Sequence, residues 1–276
     1  MTTLHAALAA ATAQLAPSPT ARRDAELLLM HVTQLTRAGL LTHPDRRLTD
    51  DQLTAYHATI ARRARHEPVQ YITGTQEFYG RPFAVSPAVL IPRPETEHLV
   101  EAALVPRPKT ILDIGTGSGI LAVTLALEIP AAAITAVDLS PDALVIARQN
   151  AETLNAAQQI RFLKSDLFSA LEQEQYDCIV SNPPYVASSE PLEPQVRDYE
   201  PPAALYAGTD GLAIYRRLIP EAAHHLRMGG HLLLEIGQGK REAIAQLLTE
   251  SGYKDIRFHP DLQGISRVAQ ARAPGR

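Results

Sequence analysis

The sequence predicts a doubly wound α/β sheet of seven strands preceded by a small helical domain. Three observations carry this expectation. From residue 110 onward, short apolar runs alternate with amphipathic helical stretches, the order that builds a parallel sheet with helices on both faces. Over residues 4–66, strand patterns are absent and apolar residues recur at helical spacing. Between the two, residues 69–92 change character, with aromatic and β-branched residues, Gly80 at a turn and several prolines. The expected organisation is therefore a helical domain at 1–68, a β-hairpin linker at 69–92 and an α/β domain at 93–276.

In the first segment, Leu4, Ala7, Leu8 and Leu15 share a helical face. The stretch PSPT at 17–20 reads as a turn, with Thr20 as the cap of a helix whose apolar face is Ala25, Leu28, Leu29 and Val32. Thr49 caps a further helix, and Pro68 lies just past its end. The basic run ARRARH at 61–66 reads as a solvated helix face. After the hairpin, Pro92 and Pro94 bracket Arg93, and a helix begins at Thr96 and runs to Leu104. Seven strands follow: TILDIG, AITAVD, IRFLKSD, DCIVS, GGHLLLEIG, KDIRFHPDL and ISRVAQAR. The helices between them are SGILAVTLALEI, SPDALVIARQNAETL, DGLAIYRRLIPEAAHHL and KREAIAQLLTESG. The short connection between the last two strands suits an antiparallel hairpin at a sheet edge.

Composition excludes several classes. The chain has 276 residues, 45% of them hydrophobic and 20% charged, so a sizeable core is expected and wholesale disorder is not. The net charge of −4 argues against gripping nucleic acid through a global positive field. The single cysteine, Cys178, sits in an apolar run and reads as a small buried hydrophobe. With no CxxC and no spaced Cys/His set, no metal site is expected. His224 and His225 are neighbours on a helix and do not face one site. No apolar run reaches the roughly 18 residues that span a membrane. LHAALAAATAQLA lacks a preceding positive charge and reads as a mature helix, not a leader. A soluble, cytoplasmic protein is the expectation, with a monomer as default.

Two motifs carry chemistry. LDIGTGSG follows the first α/β strand and opens a helix. Gly115, Gly117 and Gly119 let the chain turn tightly and bring backbone N–H groups close to a ligand, and Thr116 and Ser118 lie between them. The spacing is GxGxG, and no GK[ST] follows, so triphosphate chemistry is not expected. Asp138 ends the second strand, where a carboxylate can accept both hydroxyls of a ribose. Ser140 fills the helix-cap role, with Pro141 at the first helical position, which leaves Asp138 free for a ligand. A nicotinamide dinucleotide and S-adenosylmethionine (SAM) both suit such a loop. The spacing, with the second motif, favours SAM.

That second motif is Asn182-Pro183-Pro184-Tyr185, a rigid polar corner at the end of the DCIVS strand. An amide or exocyclic amine nitrogen has a delocalised lone pair and is a poor nucleophile, so it must be aimed. The Asn182 side-chain oxygen and the Pro183 carbonyl can accept its two N–H groups, held rigid by the prolines. Tyr185 offers a face to a planar group.

The corner and DIGTGSG together resemble the amino-methyltransferases of planar nitrogens. EFYGRPFAVSPAVLIPRPETEHLV, YEPPAALYAGTDGLAIYRRLI, GGHLLLEIG and RRDAELLLMHV narrow the resemblance, over nearly the whole chain, to the release factor glutamine methyltransferases. That resemblance implies a Rossmann-like SAM-dependent fold and N5-methylation of the glutamine in the Gly-Gly-Gln motif of class I peptide chain release factors. SAM would be the donor and S-adenosylhomocysteine (SAH) the product, with no direct nucleic-acid partner. It implies that Gly115, Thr116, Gly117, Ser118, Gly119 and Asp138 hold SAM, that Leu167 contacts the adenine, and that Asn182 touches both SAM and glutamine. Pro183, Pro184 and Tyr185 would complete the substrate site. Many members carry a Trp where Leu167 stands. Arg93 and Glu95 are expected to close over the pocket, with a rigid linker docking the two domains as the alternative. The helical domain would contact the release factor. Methylation of a ribosomal-protein glutamine or of DNA adenine-N6 are the competing readings.

Overall fold

The computed structural model describes residues 2–16 and 18–274. The expected turn at 17–20 therefore includes one residue, Pro17, outside the described set, as are the outer limits at 1 and 275–276. The chain divides into two compact units. One runs to Thr75 and includes Leu192–Tyr199; the other comprises Gln76–Pro191 and the chain from Glu200 onward. Among the described residues, no helix is long and apolar enough to cross a membrane.

The first unit is helical. Its helices are α1 (Leu4–Leu15), α2 (Ala21–Thr33), α3 (Arg37–Thr42), α4 (Asp50–Arg63) and α5 (Val69–Thr73). Leu4, Ala7, Ala11 and Leu15 of α1 meet Ala25, Leu28 and Leu29 of α2 and Tyr56 and Ile60 of α4 in one core. Helix α4 begins with a capping box: Thr49 Oγ1 accepts from Gln52 N, and Gln52 Oε1 accepts from Thr49 N, both at 3.1 Å.

Three expectations are corrected here. Thr20 precedes α2 but makes no side-chain cap bond; its hydroxyl donates instead to Asp24 Oδ2 at 2.9 Å. The basic run at 61–66 is not a uniformly solvated face. Arg63 is buried and pairs with Asp24 at 2.8 Å, both side chains being 9% exposed. Residues 69–73 are helical, not extended. Pro68 stands at the N-cap of α5 and Gly74, at φ 77°, ends it, the usual bracket of a helix despite the β-branched residues inside.

The second unit opens with the hairpin β1 (Thr75–Phe78) and β2 (Arg81–Ala84). Tyr79 and Gly80 turn it with φ of 52° and 70°, the double left-handed geometry of a tight hairpin. A 3-10 turn at Pro94–Thr96 then leads into α6 (Glu97–Leu104). The alternating region gives β3 (Thr110–Ile114), α7 (Ile120–Glu128), β4 (Ala133–Asp138), α8 (Pro141–Thr153), β5 (Ile160–Lys164) and β6 (Tyr176–Ser181). After the short α9 (Pro194–Arg197) come α10 (Ala213–His225), β7 (Leu226–Glu235), α11 (Arg241–Glu250), β8 (Lys254–Pro260) and β9 (Ser266–Arg272).

Seven strands form one sheet in the order β5-β4-β3-β6-β7-β9-β8. Strands β3 to β7 are parallel, and β9 enters antiparallel between β7 and β8. Alternate residues serve opposite faces, as the strand period requires. Ile111, Cys178 and Val180 pack with α6 and α7 on one face; Leu112 and Ile179 pack with α10 and α11 on the other. Cys178 is fully buried, as expected. The chain runs outward from β3 through β4 to β5, then returns to place β6 on the other side of β3. The sheet's direction of winding therefore reverses between β3 and β6, and their C-terminal ends open a crevice.

Asp24→Ala leaves the buried Arg63 unpaired, so it is expected to lower unfolding stability by about 3 kcal/mol. Arg22→Ala removes the exposed partner of a neighbouring pair and is expected to cost under about 1 kcal/mol. Denaturant titration of both variants checks this; equal losses would show that Asp24 is not a buried anchor.

Candidate active site

The glycine loop and the corner meet at this crevice. Ile114 and Ser181 are partners in the β3–β6 register, and the Ser181 hydroxyl donates to the Ile114 carbonyl at 2.7 Å. A cavity at the strand ends is lined by Gly115, Thr116, Gly117, Ser118, Asp138, Asn182 and Pro184, and also by Arg93 and Thr96. A second, smaller cavity shares Gly115, Asp138 and Pro184 with it and adds Leu139, Leu167 and Pro183. The structure thus brings together most of the residues singled out from the sequence.

The loop is held by backbone bonds. Gly115 N and Thr116 N both donate to the Val137 carbonyl, at 2.9 and 3.0 Å. Gly115 and Gly117 have φ of 72° and 56°, and a Cβ added to either would meet no protein atom within 4 Å. Positive φ and open space on the cavity side are what a ligand cradle needs. Gly119 differs. Its φ is 84°, but its added Cβ would meet Ala147 at 3.2 Å, so it lets α7 pack on α8 and does not line either cavity.

Asp138 is not free, contrary to expectation. Oδ2 accepts from Gly117 N and Oδ1 from Ser140 N, each at 2.8 Å. Ser140 caps α8 as anticipated, accepting from Ala143 N. Each Asp138 oxygen keeps a second lone pair, so the carboxylate can shape the loop and still accept from a ligand hydroxyl. Burial raises its pKa, opposed by those backbone donors. Asp113, fully buried, accepts from the Thr116 hydroxyl at 2.6 Å and from Ala122 N at 3.2 Å. Its Oδ1 has no partner, and burial pushes its carboxyl up to about 7.

At the corner, Asn182 Nδ2 donates to Thr96 Oγ1 at 3.2 Å. That anchors the nitrogen and leaves Oδ1 as the acceptor. Tyr185 lines neither cavity. Its ring packs on Gly237, where an added Cβ would approach within 2.8 Å, and its carbonyl lies 2.2 Å from a Cβ built on Gly211. Arg93 reaches the rim but is committed to Glu200, at 2.5 Å. The Glu200 side chain is 1% exposed and also accepts from Ile91 N at 3.0 Å. Glu95 lines neither cavity and lies in the charged surroundings of Tyr185 and Glu235.

Four contributors escape sequence reasoning. Thr96 anchors Asn182 across 86 residues of chain. Glu200 fixes Arg93. Asn150, buried on α8, bonds both the Ser118 carbonyl and the backbone of Ala84, tying the loop to the hairpin. Glu235 ends β7 fully buried, with Oε2 unpartnered. Only Glu235 leaves a sequence signal: one carboxylate directly after the apolar run of Leu232, Leu233 and Leu234 at the ligand-binding edge. Among the described residues no group of side chains could hold a metal ion. His225 stacks on Phe168 and its Nδ1 pairs with the Glu174 carbonyl, away from the crevice.

A seven-stranded sheet of this order, with a glycine cradle and a polar corner at its switch point, defines an α/β methyltransferase fold. Solved structures agree on the fold. A methyltransferase from Pyrococcus furiosus is similar at TM-score 0.54 and 19% identity, covering 72% of this chain and 91% of that one. The T. Thermophilus 16S rRNA N2 G1207 methyltransferase, solved with AdoMet and guanosine, gives TM-score 0.52 at 22% identity, covering 72% of this chain and 49% of that one. Family profiles match as the PrmC N-terminal domain over residues 6–74 and the methyltransferase small domain over 94–196. Proteins named release factor glutamine methyltransferase are 49% identical in Koribacter versatilis, over 94% of both chains, and 43% identical in Escherichia coli, over 95% of this chain and 96% of that one. The chain belongs to the release factor glutamine methyltransferase family.

Two buried carboxyls with raised values contribute to the pH dependence of stability. Asp113 normally titrates near 3.8 and Glu235 near 4.5, and burial pushes both to about 7. Between those limits the folded chain binds more protons than the unfolded one. Stability is therefore expected to be fullest below about pH 4 as far as these two groups are concerned, and to fall as pH rises through about 7. Denaturation of wild type and Asp113→Asn between about pH 5 and about pH 8 checks it; an unchanged slope in the variant would show that Asp113 is not protonated when folded.

Proposed function

We propose that this protein transfers a methyl group from SAM to the side-chain amide nitrogen of a glutamine in a peptide chain release factor, at the Gly-Gly-Gln motif of the class I factors. The observation that carries the reading is the Asn182 carboxamide, anchored through its nitrogen to Thr96 and set beside the glycine cradle at the β3–β6 crevice. The family's curated members bear that activity in their names.

The cradle of Gly115 and Gly117, the Thr116 and Ser118 backbone and the Asp138 carboxylate would hold SAM, with Leu139 and Leu167 beside the smaller cavity as apolar lining. When bound, SAM supplies an electrophilic methyl group. This chain's own residues then have to present a poor nucleophile. Asn182 Oδ1 and the Pro183 carbonyl accept the two N–H groups of the substrate amide, and consecutive prolines keep the acceptors from reorganising. Accepting those bonds favours the positive charge that develops on the nitrogen. Tyr185, braced by Gly237 and Gly211, gives the corner a rigid aromatic wall. Among the described residues that line the cavity, Arg93 is the one cationic side chain, and it is paired with the buried Glu200. That pattern suits a neutral peptide amide better than a phosphodiester chain. The helical unit would supply added contact area for a substrate whose reacting motif is short.

Asn182→Ala is expected to keep the fold and lose methyl transfer by about 100-fold or more. Mass spectrometry of a class I release factor incubated with SAM and the protein reads the reaction directly. A gain of one methyl on the Gly-Gly-Gln glutamine is expected, and none where that glutamine is replaced. Methylation elsewhere, or of a ribosomal protein or DNA adenine alone, would overturn the assignment.

A further inference from the structure

We propose that Asn150 is a positioning residue that couples the β1–β2 hairpin to the cofactor loop, so that SAM binding and the hairpin stabilise each other. The inference rests on the role given above to the glycine cradle. Asn150 is buried on α8 and spends its amide donors and its oxygen on backbone. Nδ2 donates to the Ser118 carbonyl at 2.8 Å and to the Ala84 carbonyl at 3.0 Å, and Oδ1 accepts from Ala84 N at 2.7 Å. Ala84, the last residue of β2, lies 66 residues from Asn150 in sequence, and Ser118, in the loop, lies 32 away. No second orientation is available. A carbonyl only accepts and a backbone N–H only donates, so a turned carboxamide would set oxygen against both carbonyls and NH2 against Ala84 N. Aspartate in this place has the shape without the donors, and leucine has the bulk without donor or acceptor.

Ser118 is where this carboxamide meets the ligand site. Within the loop, Gly115 N and Thr116 N donate to the Val137 carbonyl, Gly117 N to Asp138 Oδ2 and Gly119 N to the Thr116 carbonyl. Among the described residues, none accepts from Ser118 N. It is the loop N–H left for a ligand, and Ser118 lines the cavity. The carbonyl that Asn150 holds belongs to the same residue. Only the two backbone rotations about one Cα separate that carbonyl from the N–H, so fixing the one narrows the directions open to the other.

Attachment of the hairpin does not need Asn150. Phe78 and Phe83 are buried in the core shared with α6 and α7, Glu97 Oε1 accepts from Tyr79 N at 2.8 Å, and Arg81 pairs with Glu128 at 2.6 Å. A side chain that only secured the hairpin would have no reason to reach Ser118, and one that only braced the loop would have none to reach Ala84. Joined through one carboxamide, the two ends order each other. A ligand that fixes Ser118 fixes Asn150, and Asn150 then holds Ala84 more firmly. Linkage makes the effect reciprocal, so a hairpin held firmly at Ala84 favours SAM.

The test reads SAM affinity by calorimetry and amide exchange at Ala84 by nuclear magnetic resonance, with and without saturating SAM, for wild type, Asn150→Asp and Asn150→Leu. Leu248→Ala, a change in the core on the other face of the sheet, controls for lost stability alone, and thermal midpoints are recorded for all. Both Asn150 variants are expected to weaken SAM by about 10-fold or more. With a release factor as substrate, kcat at saturating SAM should stay within about threefold of wild type, because the Asn182 corner is intact. Leu248→Ala should bind SAM within about twofold of wild type, however far its midpoint falls. In wild type, SAM should slow exchange at Ala84 by about threefold or more beyond any slowing at Tyr79 N, the hairpin amide held by Glu97. In Asn150→Asp, which keeps an oxygen for Ala84 N, that extra slowing should be lost. Wild-type SAM affinity in both Asn150 variants, equal weakening in Leu248→Ala, or a fall in kcat as large as the loss of affinity would each overturn the proposal. So would an extra slowing at Ala84 that is absent from wild type or persists in Asn150→Asp, and the wild-type measurement decides even where a variant fails to fold. If SAM affinity and exchange behave as expected while no release factor is methylated, the assigned substrate fails and the coupling stands.

Discussion

The site depends on one adjacency, the parallel pairing of β3 with β6 that sets Ile114 opposite Ser181. Neither strand is contiguous with the other in sequence, and two strands and two helices are threaded between them. Because β4 and β5 wind away on one side and β6 returns on the other, two unrelated turns emerge at the same edge and facing each other. One is a glycine turn in left-handed backbone geometry, the other a corner stiffened by proline. The bond from the Ser181 hydroxyl to the Ile114 carbonyl ties the roots of both turns at the last residue of each strand. A slip of one residue in this pairing would send Asn182 to the opposite face. The buried apolar residues on both faces, Ile111 with Val180 and Leu112 with Ile179, make such a slip costly and so keep the two turns in register.

The same edge collects carboxylates. Asp113, Asp138 and Glu235 lie at or next to the C-terminal ends of β3, β4 and β7, where parallel strands leave backbone groups unpaired. Burying a carboxylate is unfavourable unless donors reach it, and each of the three meets that demand differently. Asp138 takes two backbone N–H groups and fixes the loop and the start of α8. Asp113 takes a hydroxyl and a backbone N–H and fixes the loop from beneath. Glu235 is buried with one oxygen left without a partner. The first two organise the cradle. Glu200 repeats the pattern on the rim, where it holds Arg93 and Ile91 N. Rigidity at this edge comes from Asp113, Asp138 and Glu200, each held by backbone N–H groups, with the Arg93 ion pair added at Glu200.

The α/β order, the glycine cradle and the corner were legible because each is written in contiguous residues. Strand and helix periods show locally, and LDIGTGSG and Asn-Pro-Pro-Tyr state their geometry in their own composition. The helix at Val69–Thr73 was misread because Val69, Ile72 and Thr73 favour strands when judged one by one; the bracketing Pro68 and Gly74 were the better signal. Thr20 looked like a cap, yet its hydroxyl is drawn to Asp24, whose partner Arg63 lies two helices away. Thr96, Asn150 and Glu200 were illegible for one reason. Each acts on a residue tens of positions away, and only the finished fold brings them within reach. Gly119 and Asp138 mark an intermediate case: the motif located them, but packing against Ala147 and bonds to Gly117 and Ser140 give them work inside the protein.

Substrate choice cannot come from the sheet, since structures sharing it at TM-scores above 0.5 carry names as different as rRNA methyltransferase and a plain methyltransferase. Nor does the corner alone decide, because an acceptor pair on a rigid turn would serve an exocyclic base amine as well as a side-chain amide. The distinction has to arise from what surrounds the acceptors. A nucleic-acid substrate would bring phosphates to the rim, and unpaired cations there would be the physical means of holding them. Here the rim guanidinium is already held by a buried carboxylate, and the groups gathered behind Tyr185 include two more acids, Glu95 and Glu235. A neutral amide on a peptide enters such a rim without an electrostatic penalty, whereas a phosphodiester would have to displace Glu200 from Arg93 and leave that buried acid without its counter-charge.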